Sequence, residues 1–338
     1  MLLIHTFRER ILRITPSVKT LAHDITMNDS TTSSPQHLPT RIADVGGIPI
    51  HRAIPQRTLR KVGAWCFLDH AGPADPAPPG MQVGPHPHIG LQTFTWMIRG
   101  EVLHRDSLGS EQIIRPGQVN LMTAGRGIAH SEESQEPWHI HATQLWIALP
   151  DSHRFCEPRF QHYPDLPKTR VGDFDATVLA GEALGLTAPA EVHSPLMGVD
   201  LHAANSAADA KGVMPLRKDF EHAVMTLSGR VSVNGEALPE EQLLYIPQGT
   251  ESITLDCAPD SRLIVIGGEP MDEAIIIWWN FVARTTEEVR DAREQWEAHL
   301  RGEGDDGSEA SHFGKPVASP LPPTHAPSLD GMSLRASK

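Results

Sequence analysis

The chain has 338 residues, 39% of them apolar, with 42 acidic against 29 basic side chains and a formal charge of −13. At ~100–200 residues per domain this is enough for two domains, each with its own core. The charge argues against direct binding to a nucleic-acid backbone or an anionic membrane surface, and no uninterrupted apolar stretch reaches the ~18 residues of a membrane span.

Residues 1–40 read as a disordered N-terminal extension. Met1 to Met27 carries Arg8, Arg10 and Arg13 with few acids, a composition shared with organelle presequences. It lacks the apolar core of a secretory signal, and Met27 is a second candidate start. Residues 28–40 (NDSTTSSPQHLPT) are polar and rich in Ser and Thr. The first domain is expected over 41–165. Its short β-type runs, GIPIHRAI, GAWCFLDH, LQTFTWMI, EVLHRDS, QVNLMT and TQLWIAL, are punctuated by Gly and Pro, the pattern of an all-β barrel or sandwich. Residues 71–85 are too rich in Pro and Gly for a strand and read as a loop leading to His86.

A second β-rich domain is expected over 166–301, ending in a helix at 285–301. Thr285 and Glu288 have capping-box spacing, Gly302 supplies a stop, and Val289, Ala292, Trp296 and Leu300 recur near helical period. The tail 302–338, rich in Gly, Ser, Pro and charge, is expected to be disordered. The cysteines Cys66, Cys156 and Cys257 are far apart and form no CxxC pair, so they read as buried apolar residues in a reducing cytoplasm.

Two signals carry chemistry. His86-Pro87-His88 places two imidazoles on one face of an extended strand, because residues i and i+2 share a face. His130 and Glu132, after Gly125-Arg126-Gly127, form a second such pair. Neighbouring strands bearing these pairs make a three-His, one-carboxylate site suited to Fe(II), Mn, Co, Ni or Zn, and ligand type does not choose among them. An internal repeat sharpens the signal. WMIRGEV (96–102) matches MTLSGRV (225–231), and NLMTAGRG (120–127) matches QLLYIPQG (242–249). Counting from the matched glycines, His88 corresponds to Arg217 and His130 to Ser252. One scaffold is therefore used twice, with ligand-type residues in the first copy alone. The glycine spacing is seven residues longer in that copy, which fits a longer hairpin.

HPHIGLQTFTWMIRGEVLHRDSLG (86–109), RPGQVNLMTAGRGIAHSEE (115–133) and IIIWWNFVAR (275–284) closely resemble motifs of pirin-like proteins, and the resemblance spans roughly residues 45–301. It implies a bicupin, two cupin-type (jelly-roll) β-barrels packed face to face, with metal in the first only and usually iron. By position the family's metal ligands fall on His86, His88, His130 and Glu132. Some bacterial members are similar to quercetin 2,3-dioxygenases. That implies ring cleavage of a flavonol, a small aromatic substrate, with release of carbon monoxide and with Glu132 serving as both ligand and catalytic base. Others resemble iron-dependent, redox-responsive partners of transcription factors or metabolic enzymes, and a structural cupin with an incidental metal is a third reading.

Two positions depart from the family pattern. Gln92 stands where a Glu is common; it cannot be a general base but can orient a ligand or substrate, and it leans towards the non-enzymatic readings. Leu121 stands where an aromatic is common, which suggests a different pocket shape. His104 and Asp106 read either as partners orienting a ligand imidazole or as a hairpin turn. His139 and His141 read as a solvent-facing alternation rather than an extension of the site. Asp69-His70 is a minor candidate for the pocket wall, Trp278 and Trp279 read as core or domain-interface residues, and Glu133 reads as solvated.

Overall fold

The computed structural model describes residues 34–73, 80–134, 140–203, 208–303 and 312–337. All of Met1 to Met27, with residues 28–33, therefore lies outside the described residues, as does His139. Among the described residues no helix is long and apolar enough to cross a membrane.

The β-rich segments form two sandwiches of antiparallel sheets. In the first, a seven-stranded sheet runs in the order Arg159–Tyr163, Val119–Thr123, Leu91–Arg99, His141–Ala148, Trp65–Ala71, Ile48–Ile54, Arg41–Val45. A four-stranded sheet, Gln82–His88, Ile128–Glu133, Val102–Asp106, Glu111–Ile114, faces it. The second sandwich pairs an eight-stranded sheet with a four-stranded one, Ala210–Pro215, Ser252–Cys257, Val231–Val233, Glu236–Ala237. The expected barrels are thus cupin-like but not closed, since backbone pairing stays within each sheet.

The repeat is visible in the backbone. Gly100 and Gly229 turn equivalent strands at φ 90° and 80°, a region glycine enters freely. The longer hairpin of the first copy is Val102–Asp106 with Glu111–Ile114, against Val231–Val233 with Glu236–Ala237 in the second.

The two large sheets meet face to face. Phe94, Trp96, Leu121 and Trp65 from one pack with Met225, Leu227, Leu243 and Ile264 from the other in one buried cluster. Indole N–H groups fasten the contact: Trp65 Nε1 donates to the carbonyls of Met197 and Gly267, and Trp96 Nε1 to Asp200 Oδ1 at 3.2 Å. Burying that apolar face stabilises the pair by ~25 cal/mol per Å² and leaves the opposite face of the first sheet free for a site. The second sandwich is filled by Phe174, Met214, Phe220, Val224 and their neighbours.

Both ends of the described chain depart from the disorder expected of them. Gln36–Pro39 is a strand that pairs with Gln242–Ile246 in the second sandwich, and the next strand, Arg41–Val45, joins the first. A segment with alternate residues buried and a sheet edge to pair with gains backbone bonds that composition does not reveal. At the other end the chain leaves the second sandwich after Arg262–Gly268 and returns to the first as a hairpin, Ile276–Trp278 with Phe281–Ala283, and the helix Thr286–Leu300. The Thr285 hydroxyl caps that helix by accepting from the Glu288 N–H at 3.2 Å. Val289, Ala292 and Trp296 make its buried face, as their spacing predicts. Residues 312–337 then cross this layer: Phe313 and Ala326 are buried in the same cluster as Trp296 and Ala129, and Trp296 Nε1 donates to the Thr324 carbonyl at 2.8 Å. A few anchoring side chains are enough to order a polar tail.

His222 makes stability pH-dependent. It is buried in the strand Glu221–Ser228, and neither ring nitrogen has a hydrogen-bond partner among the described residues. Burial, with a smaller contribution from Arg217, pushes its pKa down to about 4 against the opposing effect of Asp219. The unfolded chain therefore takes up a proton near pH 6.5 that the folded chain refuses until about pH 4, so stability is full above this window and is lost as pH falls through it. Urea unfolding of metal-free protein at pH 7 and pH 5 should show a loss that His222→Leu reduces, by up to about 3 kcal/mol over the whole window.

Candidate metal centre

The strand Gln82–His88 carries one extra residue relative to Ile128–Glu133: His86 pairs with His130, but Val83 with Glu132. This bulge at Gly84-Pro85 turns the Gly84 carbonyl back to accept from His86 Nδ1 at 2.9 Å. His88 Nδ1 donates to the Asn280 carbonyl, at 3.0 Å, in the turn of the C-terminal hairpin. Each bond places the ring proton on Nδ1 and leaves the Nε2 lone pair facing inward.

His130 is oriented by a longer chain of bonds. Asp106 Oδ1 accepts from the backbone N–H groups of Leu108 and Ser110, both at 2.9 Å, and its Oδ2 from His104 Nε2 at 3.2 Å. Burial opposes the charged carboxylate, but the bonds from His104 and Ser110 outweigh it and hold its pKa below the usual value. His104 then has its proton on Nε2, and its Nδ1 accepts from His130 Nδ1 at 3.3 Å. The Nε2 of His130 is left bare, 3.1 Å from the equally bare Nε2 of His88.

Ligand atoms of His86, His88 and His130 lie within 4.8 Å of one another. Two lone pairs at this distance repel unless a proton or a cation lies between them. Burial disfavours the proton: it pushes His86 down to about 4 and His88 and His130 well below the usual imidazole value, with the neighbouring rings adding to the effect at each. Three neutral, convergent imidazoles are the donor set of a transition-metal site, so these residues fit a metal ion. Glu132 belongs to an overlapping triad with His104 and His130, also within 4.8 Å, and burial raises its pKa against the pull of His104 and the Thr95 hydroxyl. The four expected residues thus form two overlapping groups that share His130.

A cavity of about 530 Å³ opens onto His86, His88, His130 and Glu132 between the sheets of the first sandwich. Thr93, Thr95 and Met97 project into it from the large sheet, and Ile48, Ile50 and Ile140 are among its apolar walls. On one wall Phe67 stacks on Trp146 with ring centroids 4.0 Å apart, Trp146 meets His88 edge-on at 5.2 Å, and the Arg52 guanidinium lies 4.5 Å over Phe67. Arg52 is paired at 2.6–2.7 Å with Asp69.

Comparison with known proteins agrees with this architecture. The Pirin family model matches residues 47–147, and the model of the Pirin C-terminal cupin domain matches residues 201–301. The chain belongs to the pirin family. A Pseudomonas aeruginosa protein provisionally named a quercetin 2,3-dioxygenase is 46% identical over 297 residues, 87% of this chain and 90% of its own length. A pirin-like protein of Caulobacter vibrioides is 37% identical, covering 76% of this chain and 91% of its own. The crystal structure of a quercetin 2,3-dioxygenase from Acinetobacter baumannii superposes with a TM-score of 0.84 at 47% identity, covering 91% of this chain and 99% of that one.

Several positions differ from expectation in this pirin-family chain. Gln92 and Leu121 face the other sandwich, not the cavity. Gln92 Nε2 donates to Thr123 Oγ1 and to the Glu191 carbonyl, at 2.9 and 3.0 Å, so it orients neither ligand nor substrate. Gly90, at φ 68°, interrupts the extended chain between His88 and Leu91, so counting four residues on from His88 does not keep to one face. Glu133 is buried, accepting from Arg105, Ser131 and, at 2.7 Å, Ser319 of the tail. His141 is also buried, with its Nε2 3.1 Å from that of His70; of the pair Asp69-His70 only Asp69 reaches the cavity. Trp278 is core, as expected, but Trp279, Asn280 and Thr324 line the cavity. No local pattern marks those three, because they arrive from the far end of the chain.

The proton chain is testable. Asn at position 106 presents an amide N–H to His104 Nε2, which moves the His104 proton to Nδ1 and forces the His130 proton onto Nε2. Asp106→Asn should weaken metal binding by about 10–100-fold, read by competition with a chelator, with the fold retained by circular dichroism.

Proposed function

We propose that this chain is a mononuclear, Fe(II)-dependent dioxygenase acting on a flavonol-type, quercetin-like substrate. The observation that carries this reading is the apolar cavity of about 530 Å³ ending on three proton-free imidazole nitrogens. Its size is within the ~300–1,000 Å³ usual for a small-molecule site. Similarity to quercetin 2,3-dioxygenases supports the substrate class. An iron-responsive binding protein would instead present its metal through an exposed patch, and this cluster lies buried beneath the cavity.

His86, His88 and His130 would hold the ion, with Glu132 as the fourth ligand. The ion supplies Lewis acidity at a substrate oxygen and the one-electron chemistry that lets O2 react with an organic anion. The protein does the remainder. Glu132 accepts the proton of the flavonol hydroxyl, at a carboxylate facing the cavity. Phe67 and Trp146 offer apolar ring atoms of their stack to the substrate, and the isoleucine-rich lining excludes water from the reactive anion. Asp106, through His104, keeps His130 in the ligating tautomer. Free, well-separated Cys66, Cys156 and Cys257 suit a cytoplasmic setting.

The test is oxygen uptake by Fe(II)-reconstituted protein given quercetin. Uptake is expected in the wild type and should fall to background in His88→Ala, together with bound iron. Wild-type protein that holds one iron per chain yet consumes no oxygen would refute the assignment.

A further inference from the structure

Four non-glycine residues in the described chain have a left-handed backbone: Leu184, Asn234, Asp260 and Trp279. Asn and Asp tolerate that region through their short polar side chains, and Leu184 lies beside Gly185 in a surface hairpin. Trp279 is different. It is a bulky residue at φ 52° in the turn between Ile276–Trp278 and Phe281–Ala283, where glycine would carry no strain. Its ring is half-buried and lines the same cavity as the Phe67–Trp146 stack.

The turn is locked in place. The Val282 N–H donates to the Ile89 carbonyl at 3.1 Å, and the hairpin lies so close to Gly90 that a Cβ there would be 2.1 Å from the Val282 carbonyl oxygen. The neighbouring Asn280 carbonyl is the acceptor for His88. Backbone position alone therefore serves the imidazole, and a glycine at 279 would serve it as well. The indole itself packs edge-on against Phe281, with ring centroids 5.4 Å apart, and against Trp278 at 6.1 Å, and it also lines the cavity.

We infer that Trp279 is a substrate-contacting, specificity-determining residue, whose indole forms part of the wall against which a planar aromatic ligand lies. This rests on the flavonol-type reading for the identity of the ligand, but not on turnover. A strained backbone holding a large side chain against a ligand cavity is a local cost offset by what the side chain contacts there. An aromatic ring contributes that contact with little rotamer entropy lost on binding.

The experiment is equilibrium dialysis of the full-length, Fe(II)-loaded protein against flavone under argon. Flavone is planar and aromatic but lacks the 3-hydroxyl at which a flavonol reaction begins, so it reads binding alone. Trp279→Gly should raise the flavone Kd by about five- to tenfold. Trp279→Phe should remain within about twofold of the wild type. The Gly variant should keep its iron and its fold by circular dichroism, with a melting temperature lowered by the lost contacts to Phe281 and Trp278. Wild-type affinity in the Gly variant, loss of its iron together with its affinity, or failure of the wild type to bind flavone would each overturn the inference. A wild type that binds flavone but takes up no oxygen with quercetin would sink the dioxygenase reading and leave the role of Trp279 standing.

Discussion

Two imidazole nitrogens, His88 Nε2 and His130 Nε2, stand 3.1 Å apart with no proton assigned between them. Leaving buried polar groups unpaired costs ~1–3 kcal/mol each, so this arrangement persists only because the far side of each ring is committed. Asn280 supplies that commitment for His88 and the His104–Asp106 pair for His130, while the Gly84 carbonyl does the same for His86. The bulge in the first strand, the return of the C-terminal hairpin and the buried carboxylate of Asp106 can all be read as means of keeping protons off the inward nitrogens.

That constraint also accounts for the division of labour between the sandwiches. A site needs one open interior, and an open interior removes packing that a core normally supplies. The first sandwich is hollow and the second, built on the same scaffold, is filled by Phe174, Phe220 and Met214. The second then covers the outer face of the first sandwich's large sheet. Trp65 and Trp96 reach across to backbone and carboxylate acceptors, which fixes the strands bearing Thr93, Thr95 and Met97. The C-terminal segment does the same for the small sheet, with Trp296, Phe281 and Phe313 packed around Ala129, the residue before His130.

Misreadings of the sequence have a common source. The rule that alternate residues share a face holds while the strand is unbroken, and His86 with His88 obey it. It fails at Gly90, and Gln92 turns to the other domain. Glu133 and His141 read as solvent-facing because their neighbours in sequence are polar. What buries them is a tail serine for one and, for the other, the Leu227 carbonyl of the second sandwich together with His70 of its own sheet. The tail itself reads as disordered because two or three anchoring side chains are invisible in its average composition.

By itself the sequence determined what depends on local spacing and on internal repetition: two β-rich units, a helix with its cap, and the convergence of His86, His88 and His130 in the first unit. These follow from backbone geometry over a few residues, and the repeat supplies its own control in Arg217 and Ser252. Only the tertiary structure decided which nitrogens bear protons, which of Asp69 and His70 reaches the cavity, and that Trp279, Asn280 and Thr324 complete its wall. Those features depend on contacts between segments up to about two hundred residues apart, and loop closure over such distances leaves no periodic trace in the chain.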